Sequence, residues 1–442
     1  MKEPKIKVGI LTAPEIEFIL SGNYKYEKFD RPLKGKMRAS LESGKIVIDY
    51  NGQKFNHLYD VVFEPVDFLT GSIQLNDVVI GKNFHWERKE NQRFAGTLKL
   101  IVEGNEITAV NILSLEEYLM SVISSEMSPN SSYQFLKTHA IVSRSWILSQ
   151  MGKSEKEETP VVEIREDEII KWYDRQDHKN FDVCADDHCQ RYQGITKVIS
   201  KTVQEAIDAT RGLVLTHNKK ICDTRYSKCC GGITENFENV WQDTKLPYLT
   251  SVVDYKFEPD NFDTDFNFER NAEKWIKKSP QAFCNTTDEK ILSQVLVDFD
   301  QETKNFYRWK VEYKQDELKT LLKKRTGVDF GEIKNLKVLE RGLSSRIIRL
   351  QIVGTKKTVT IGKELEIRKS LSESHLYSSA FYVETRDIEN DIPGRFILYG
   401  AGWGHGVGLC QIGAAVMSET GYKFDEILTH YFRGSKIEKL YL

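Results

Sequence analysis

Apolar and polar residues alternate with a period of two in several short runs near the start of the chain. The clearest runs are IKVGIL (6–11), KIVIDY (45–50), DVVF (60–63), GTLKLIVEG (96–104) and NEITAVNIL (105–113). Each run is rich in β-branched residues and lies between Gly or Asn positions, which is typical of strands joined by turns. The pattern predicts a small all-β unit over residues 1–108.

Helical spacing replaces this alternation from Ser114 to Leu148. Ser114 is the expected N-cap of a first helix, and Glu117 three residues later completes a capping box. One apolar face recurs at helical spacing, formed by Leu115, Tyr118, Leu119, Val122 and Ile123. We expect Pro129 to end this helix, with a second helix after the break at 128–130.

Glu126 occupies an unusual position on the first helix. At about 100° per residue it falls near the middle of the apolar face. A carboxylate there is costly unless paired, so burial would favour the protonated form that a general acid needs near neutral pH. In a second interpretation the helix frays at Ser125 and Glu126 turns into water. The spacing alone leaves both open.

Two basic residues share one side of the second helix. Lys137, Ile141, Arg144 and Leu148 fall at i, i+4, i+7 and i+11. These cations either face the Glu126 end of the first helix and act with it, or form a solvated charged face.

The remaining pattern predicts an α+β chain. We expect a loop or insertion at 152–168, a helix at 200–210 ended by Gly212, and a linker at 254–268. Residues 306–386 read as a self-contained strand–helix–strand unit. The predicted fold is therefore β-rich and in four parts, with a short helical pair that carries the active site. The parts are a β-rich segment (1–108), a core with the helical pair (109–254), an inserted α+β domain (255–395) and a returning core segment (396–442).

Charge and composition exclude several functions. The 442 residues include 63 basic and 65 acidic ones, a net charge of −2, so neither nucleic acid nor a membrane surface is a predicted partner. The N-terminal MKEPKIKVGIL lacks the apolar run of a signal peptide, and no later segment is apolar for long enough to span a bilayer. The chain is thus expected to be cytosolic or a mature portion with a new Met. Seven cysteines, an odd number, argue against an obligatory disulfide framework.

Four metal-ligand residues lie within twelve positions: His178, Cys184, His188 and Cys189. Thiolate and imidazole together suit tetrahedral Zn²⁺, which makes a zinc site the first interpretation. A Cys184–Cys189 disulfide is the alternative, although it would leave the two histidines unexplained.

Two further segments have the composition of binding loops. YSKCCGGITENFENVW (226–241) fits either a carbohydrate-binding loop or an ordinary hairpin end, and its adjacent Cys229 and Cys230 are expected to be thiols. GAGWGHGVGLCQIGA (400–414) fits neither a dinucleotide fingerprint nor a P-loop. Its glycines require a close backbone approach, and we expect His405 to be exposed on the loop.

Three motifs together resemble the stage II sporulation protein D / LytB amidase-enhancer family. They are LEEYLMSVISSEMSPNSSYQFLKTHAIVSRSW (115–146), SKCCGGITENFENVW (227–241) and GWGHGVGLCQIGAAVMSETGYKFDEILTHYF (402–432). Their order and spacing match, with a large insertion before the last motif, and the β-rich segment before them also fits. The resemblance covers nearly the whole chain, and three motifs in order are specific where one would not be.

The resemblance implies a peptidoglycan lytic transglycosylase of the cell envelope, outside the cytoplasm, acting on glycan strands stripped of stem peptides. It assigns the acid/base role to Glu126 and substrate binding to Lys137, Arg144, Tyr226 and Lys228, to which we add His405. Some clostridial members bind zinc through a similar cluster, which implies a structural Zn²⁺ at His178, Cys184, His188 and Cys189. Many members have a histidine where this chain has Ser227, so that histidine's role is not filled here.

One carboxyl group suits a lytic reaction better than hydrolysis, for which glycosidases use two. Glu126 would protonate the oxygen between MurNAc and GlcNAc and then take the proton of the attacking muramic C6 hydroxyl, leaving a 1,6-anhydroMurNAc end. We expect Glu126, Lys137, Arg144, Tyr226, Lys228 and His405 to line one groove. The alternative is a non-catalytic amidase enhancer that binds glycan or an N-acetylmuramoyl-L-alanine amidase. Hydrolysis at zinc is disfavoured because four protein ligands leave no position for water.

Overall fold

The computed structural model describes residues 2–81, 87–128, 130–151, 162–165, 167–172, 178–186, 188–197, 200–295 and 305–442. The chain forms two compact units. The first comprises residues 1–130, 177–213 and 439–442, and the second comprises 131–176 and 214–438. The four-part division expected from the sequence stays a prediction.

Strands outnumber helices among the described residues, as the sequence predicts. The strands are β1 (Lys5–Ala13), β2 (Glu15–Tyr26), β3 (Phe29–Glu42), β4 (Lys45–Tyr50), β5 (Gln53–His57), β6 (Asp60–Pro65), β7 (Ser72–Ile80), β8 (Arg88–Phe94), β9 (Thr97–Glu103), β10 (Glu106–Ser114), β11 (Val162–Arg165), β12 (Glu168–Lys171), β13 (Val183–Cys184), β14 (Leu213–His217), β15 (Lys220–Ile221), β16 (Tyr226–Ser227), β17 (Arg308–Lys314), β18 (Ile333–Arg341), β19 (Ile347–Gly354), β20 (Thr358–Gly362), β21 (Phe381–Glu389), β22 (Ile392–Ala401), β23 (Leu409–Cys410) and β24 (Lys436–Lys439). The helices are α1 (Leu115–Glu126), α2 (Tyr133–Met151), α3 (Lys201–Ala209), α4 (Glu269–Lys278), α5 (Glu289–Val295), α6 (Gln315–Thr326), α7 (Glu364–Ser370), α8 (Gln411–Glu419) and α9 (Phe424–Tyr431).

The first unit is built on an eleven-stranded sheet. Its main order is β13-β1-β10-β9-β6-β2-β3-β4-β5, with β7 paired to β2 and β8. Most neighbours are antiparallel, but β13 runs parallel to β1. The prediction that the first part of the chain consists of strands is confirmed.

The longest strands of the first unit, β2 and β3, were not predicted. β3 carries Pro32, Gly35 and a mostly polar sequence, all of which weaken a strand signal. The pairing of β2 with β3 changes register between Leu20 and Tyr24. Gly22 at this irregularity has φ +83° and lies against the Thr70 carbonyl, where a Cβ would come within 2.7 Å. The irregularity breaks the alternation that the sequence pattern relies on.

The helices of the first unit follow their sequence signals closely. The five apolar residues of the α1 face, Leu115, Tyr118, Leu119, Val122 and Ile123, are all fully buried. Ser114 is the N-cap, and its hydroxyl donates to the Glu117 carboxylate (2.8 Å). α3 has Ser200 as its N-cap and Thr210 as its C-cap, two residues before Gly212, which has φ +70°. The break between α1 and α2 is confirmed, while Pro129 lies outside the described residues.

The second unit contains the remaining elements, with several small sheets. A five-stranded sheet has the order β11-β12-β20-β19-β18, a three-stranded sheet the order β17-β22-β21, and β16 pairs with β23. One core includes Trp309, Leu318, Leu350, Phe396 and Leu398. The strands and helix expected between 306 and 386 are present, so the α+β class is confirmed. No described helix has both the length and the apolar character needed to cross a membrane.

Two loop predictions need correction. In the segment predicted as a loop, residues 152–161 and 166 lie outside the described residues, but Val162–Arg165 form β11. The predicted linker is irregular, yet Asp254 (0% exposed) and Phe266 are buried in the unit. Phe266 packs edge-on against Trp275 of α4, at 5.8 Å between ring centroids. The sequence analysis did not predict α4, because only three of its ten residues, Ala272, Trp275 and Ile276, are apolar and buried.

Candidate functional site

Glu126 is the last residue of α1. The helix does not fray before it, because Ser125 is only 2% exposed and the Met127 N–H donates to the Ile123 carbonyl (2.9 Å). The Glu126 side chain is half-buried, and its Oε1 accepts a hydrogen bond from the backbone N–H of Arg191 (3.2 Å). The interpretation in which Glu126 turns into water is therefore wrong.

The segment that includes residues 178–186 and 188–192 contributes the Arg191 N–H that bonds to Glu126. Tyrosine side chains pack this segment against α1. The Tyr118 hydroxyl donates to Gln190 Oε1 (3.0 Å), and the Tyr118 ring stacks on Tyr192 with centroids 5.3 Å apart. The Tyr192 hydroxyl in turn donates to Asn111 Oδ1 (2.5 Å) on β10. Burial, reinforced by the charges of Cys189 and Glu126, raises the pKa of Tyr118 well above its usual value. Tyr118 therefore stays a hydrogen-bond donor.

The same segment brings together the four predicted metal ligands, His178, Cys184, His188 and Cys189. One ligand atom from each lies within 4.8 Å of every other. The Cys189 sulfur is 3.4 Å from His188 Nδ1 and 3.5 Å from His178 Nε2, and the Cys184 sulfur is 3.8 Å from His188 Nδ1. A zinc tetrahedron with Zn–S of about 2.3 Å and Zn–N of about 2.1 Å has S···N edges of about 3.6 Å. The four residues fit a metal ion.

Both cysteines of this cluster are free thiols, as are the other five of the chain, so the disulfide alternative is not the arrangement found. Hydrogen bonds from the Cys189 thiol and then from both imidazoles lower the pKa of Cys184 to about 2, despite its burial. Cys184 lies on β13, which pairs with β1 at Val8 and Gly9. Gly9 permits this approach, since a Cβ there would meet the Phe181 ring at 2.6 Å.

In the second unit, the glycine-rich loop packs against the segment that begins at Tyr226. β23, which follows the loop, runs parallel to β16. A Cβ on Gly402 would lie 2.8 Å from the Cys229 carbonyl oxygen, and one on Gly408 would lie 2.1 Å from the Arg225 carbonyl oxygen. The expected close approach is confirmed, and the partner is the protein's own backbone.

His405 is not exposed on this loop, contrary to the prediction. It is half-buried, Nε2–H donates to the Tyr226 carbonyl (2.9 Å), and Nδ1 accepts from the Val407 N–H (3.0 Å). Its ring meets Trp241 edge-on at 5.0 Å. Burial, with a further contribution from Arg225, lowers the pKa of His405 well below its usual value. The neutral His405 ring therefore stabilises the loop through hydrogen bonds with backbone groups. Its role in substrate binding stays a prediction.

His139 is a residue that the sequence analysis missed. It is fully buried on α2, its Nε2 lies 3.1 Å from Gln411 Nε2, and its ring meets Tyr226 edge-on at 4.7 Å. Burial and then the charge of Lys228 lower the pKa of His139 to about 3. Its helical spacing with Leu136 and Ser143 on one stripe was the signal that could have revealed it.

The predicted lysines have defined surroundings. The Lys228 ammonium donates to the Val295 carbonyl (2.9 Å). The Lys137 ammonium lies 4.0 Å from the ring centroid of Phe424 and 5.3 Å from that of Tyr133. These are cation–π distances.

Arg144 is fully buried, so the interpretation in which it belongs to a solvated charged face of α2 is wrong. A buried guanidinium is retained only with partners, so it acts within the fold.

The predicted site residues thus fall into two groups. The first unit holds Glu126 and the four metal-ligand residues, and the second holds Lys137, Arg144, Tyr226, Lys228 and His405. The single groove expected to contain both groups stays a prediction.

Comparisons with known proteins match both parts of the chain. A family model described as Stage II sporulation protein matches residues 103–217, and one described as a domain of unknown function (DUF8618) matches residues 235–408. An uncharacterized protein of Brachyspira hyodysenteriae is 24% identical over 421 residues, covering 94% of this chain and 86% of that protein. Stage II sporulation protein D of Bacillus subtilis is 24% identical over 331 residues, 75% of this chain and 76% of that protein. The amidase enhancer of Bacillus subtilis is 21% identical over 327 residues, 72% of this chain and 40% of that protein.

Proposed function

We propose that this chain is a peptidoglycan lytic transglycosylase of the cell envelope, with Glu126 as its single catalytic carboxyl group. The chain belongs to the family of stage II sporulation protein D and the amidase enhancer. The family relatives support a function connected with the cell wall. The observation that carries the catalytic assignment is the fixed, half-buried carboxyl group at the end of α1, which accepts the Arg191 N–H.

The proposed reaction uses this carboxyl group twice. Glu126 first gives its proton to the glycosidic oxygen as the bond from that oxygen to C1 of MurNAc breaks. The C6 hydroxyl of the same MurNAc then forms a bond to C1, and its proton returns to Glu126. The products are a strand with a new GlcNAc hydroxyl and a strand with a 1,6-anhydroMurNAc end, and no water is consumed.

Zinc has a structural role in this proposal. Four protein ligands complete a tetrahedral ion, so it offers no position for a reacting water. His178, Cys184, His188 and Cys189 would hold it, and the ion would stiffen the segment that leads directly to Arg191. The Arg191 N–H would then keep the Glu126 carboxyl group in one orientation.

The two lysines suit strands without stem peptides. Removing a stem peptide at its amide bond leaves a free lactyl carboxylate on each muramic residue. The ammonium groups of Lys137 and Lys228 are proposed to bind this carboxylate, and the Tyr226 ring to line the same groove. Arg144, which is fully buried, and His405, which donates to the Tyr226 carbonyl, would support these residues from behind.

The test is digestion of purified, peptide-free glycan strands with mass spectrometry of the products. Wild-type protein should release anhydro-ended fragments, and Glu126→Gln should still bind strands but release none. Glu117→Gln is the matched control, since Glu117 is another partly buried carboxyl group on α1 and its amide still accepts from Ser114. Equal activity in the wild type and Glu126→Gln would remove the catalytic assignment.

A second candidate function is supported by the amidase enhancer among the relatives. In that case the chain would bind glycan or a cell-wall amidase and increase the amidase rate without cleaving glycan. Wild type and Glu126→Gln would then stimulate a purified N-acetylmuramoyl-L-alanine amidase equally, with no anhydro ends in either digest.

A further inference from the structure

A second cluster of possible metal ligands lies inside the second unit. Cys230, Asp254, Cys284 and Cys410 come from four distant segments, yet one sulfur or carboxylate oxygen of each lies within 4.8 Å of all the others. All four residues are 0–2% exposed. The sequence spacing does not predict this cluster, because its successive members are 24, 30 and 126 positions apart along the chain.

Asp254 is the most informative member. It is fully buried, and among the described residues no Lys, Arg or His forms an ion pair with it. Its carboxylate accepts hydrogen bonds from the Tyr431 hydroxyl (2.5 Å) and the Cys284 N–H (2.9 Å). These bonds orient the group without neutralising it. Burial raises the pKa of Asp254 to about 8, so the carboxyl group is neutralised either by a proton or by a bound cation. The three sulfurs that converge on it favour the cation.

The distance between two of the sulfurs matches tetrahedral coordination. Cys230 Sγ and Cys284 Sγ are 3.6 Å apart, whereas a tetrahedron with Zn–S of about 2.3 Å has S···S edges of about 3.8 Å. The distance is far longer than the roughly 2.05 Å of a disulfide bond.

Backbone N–H groups donate hydrogen bonds to two of the three sulfurs. The backbone N–H of Cys230 donates to Cys410 Sγ (3.2 Å), and that of Gly232 donates to Cys230 Sγ (3.4 Å). Cys410 is the N-cap residue of α8, where the helix dipole stabilises a thiolate. Such N–H···S bonds are the outer contacts that orient and tune metal-bound thiolates.

We propose that Cys230, Cys284, Cys410 and Asp254 form a second, buried metal site that binds Zn²⁺. Three thiolates and one carboxylate carry four negative charges, of which Zn²⁺ neutralises two, and the N–H donors and the helix terminus stabilise the remaining charge without neutralising it. With four protein ligands and no exposed face, the site is structural. It fastens the turn after Lys228 to the start of α8 and so stabilises the paired β16 and β23.

The experiment is a zinc count per chain on full-length protein purified with zinc as the only added metal. Wild type should hold two ions, Cys184→Ser one, and Cys284→Ser one. Cys222→Ser should keep both, because Cys222 is an equally buried thiol outside both clusters. A Cys284→Ser chain that keeps the same zinc content as Cys222→Ser overturns the proposal.

X-ray absorption on Cys184→Ser covers the case in which Cys284→Ser does not fold. The remaining ion should show about three Zn–S distances near 2.3 Å and one shorter Zn–O distance of about 2.0–2.2 Å. A Cys184→Ser protein without zinc, or a Cys230–Cys284 disulfide found by mass spectrometry after thiol blocking, contradicts the second site. If the first cluster alone fails to bind zinc, Cys184→Ser changes nothing while Cys284→Ser still loses one ion, so the two proposals fail separately.

Discussion

Replacing Tyr118 by Phe tests the link between α1 and the first metal cluster. The substitution removes the hydrogen bond from Tyr118 to Gln190 (3.0 Å) but keeps the ring, its burial and its stacking on Tyr192. Leaving the buried Gln190 oxygen without this donor costs about 1–3 kcal/mol. Because Gln190 directly follows Cys189, this cost falls on the segment that must be ordered to bind the ion. We therefore expect the zinc affinity of the cluster to fall by about 5- to 150-fold, at about 1.4 kcal/mol per tenfold.

The assay is competition for zinc with a chromogenic chelator, with the ion assigned by its loss in Cys184→Ser. Tyr24→Phe is the control, since Tyr24 is also fully buried in the first unit and its hydroxyl makes one long bond to the Gly96 carbonyl (3.4 Å). It should lower stability slightly and leave zinc affinity unchanged. Equal zinc affinities in Tyr118→Phe and wild type would refute the docking of the metal-binding segment through this bond.

Two further predictions concern the second unit and the glycine loop. Gly408→Ala places a Cβ 2.1 Å from the Arg225 carbonyl oxygen at φ +75°, whereas Gly44→Ala, the control, has the same φ and open space around the new Cβ. Thermal unfolding should therefore show the Gly408 variant to be at least about 2 kcal/mol less stable than the Gly44 variant. Similar unfolding temperatures for the two variants would contradict the close approach. The pKa of His139 is lowered to about 3 from an ordinary value near 6.5, so the unfolded chain binds this proton more readily and stability should fall on acidification from about pH 6.5 towards 3, by up to about 1.4 kcal/mol per pH unit. Urea unfolding should show a smaller loss of stability between pH 6.5 and 5 in His139→Gln than in wild type, and identical losses would rule out a neutral buried His139.

Local signals account for much of the fold. The N-cap at Ser114 and the apolar face of α1 came directly from the spacing of residues, and the strands between 306 and 362 came from β-branched runs bounded by turns. β2 and β3 escaped because a change of register and a polar sequence hide the period of two. In such strands pairing with neighbours supplies the stability that local propensity lacks.

The candidate site was predictable where its residues are close in sequence. The first cluster was predicted because its four ligands lie within twelve positions. The second cluster could not be predicted from spacing, because only the fold brings together Cys230, Asp254, Cys284 and Cys410. The burial of individual side chains could not be predicted from the sequence either. Periodicity placed Arg144 on a defined side of α2, but whether that side faces water depends on elements that are distant in sequence. The same holds for His405, whose partners are backbone groups rather than side chains.

Digestion of peptide-free glycan strands in water enriched in heavy oxygen tests the catalytic role of Glu126 most directly. In the proposed reaction the C6 hydroxyl of MurNAc replaces water as the nucleophile. We therefore expect anhydro-ended fragments without heavy oxygen from the wild type and no fragments from Glu126→Gln. Fragments with reducing ends that carry heavy oxygen would show hydrolysis, which requires a second catalytic group and contradicts the single-carboxyl mechanism.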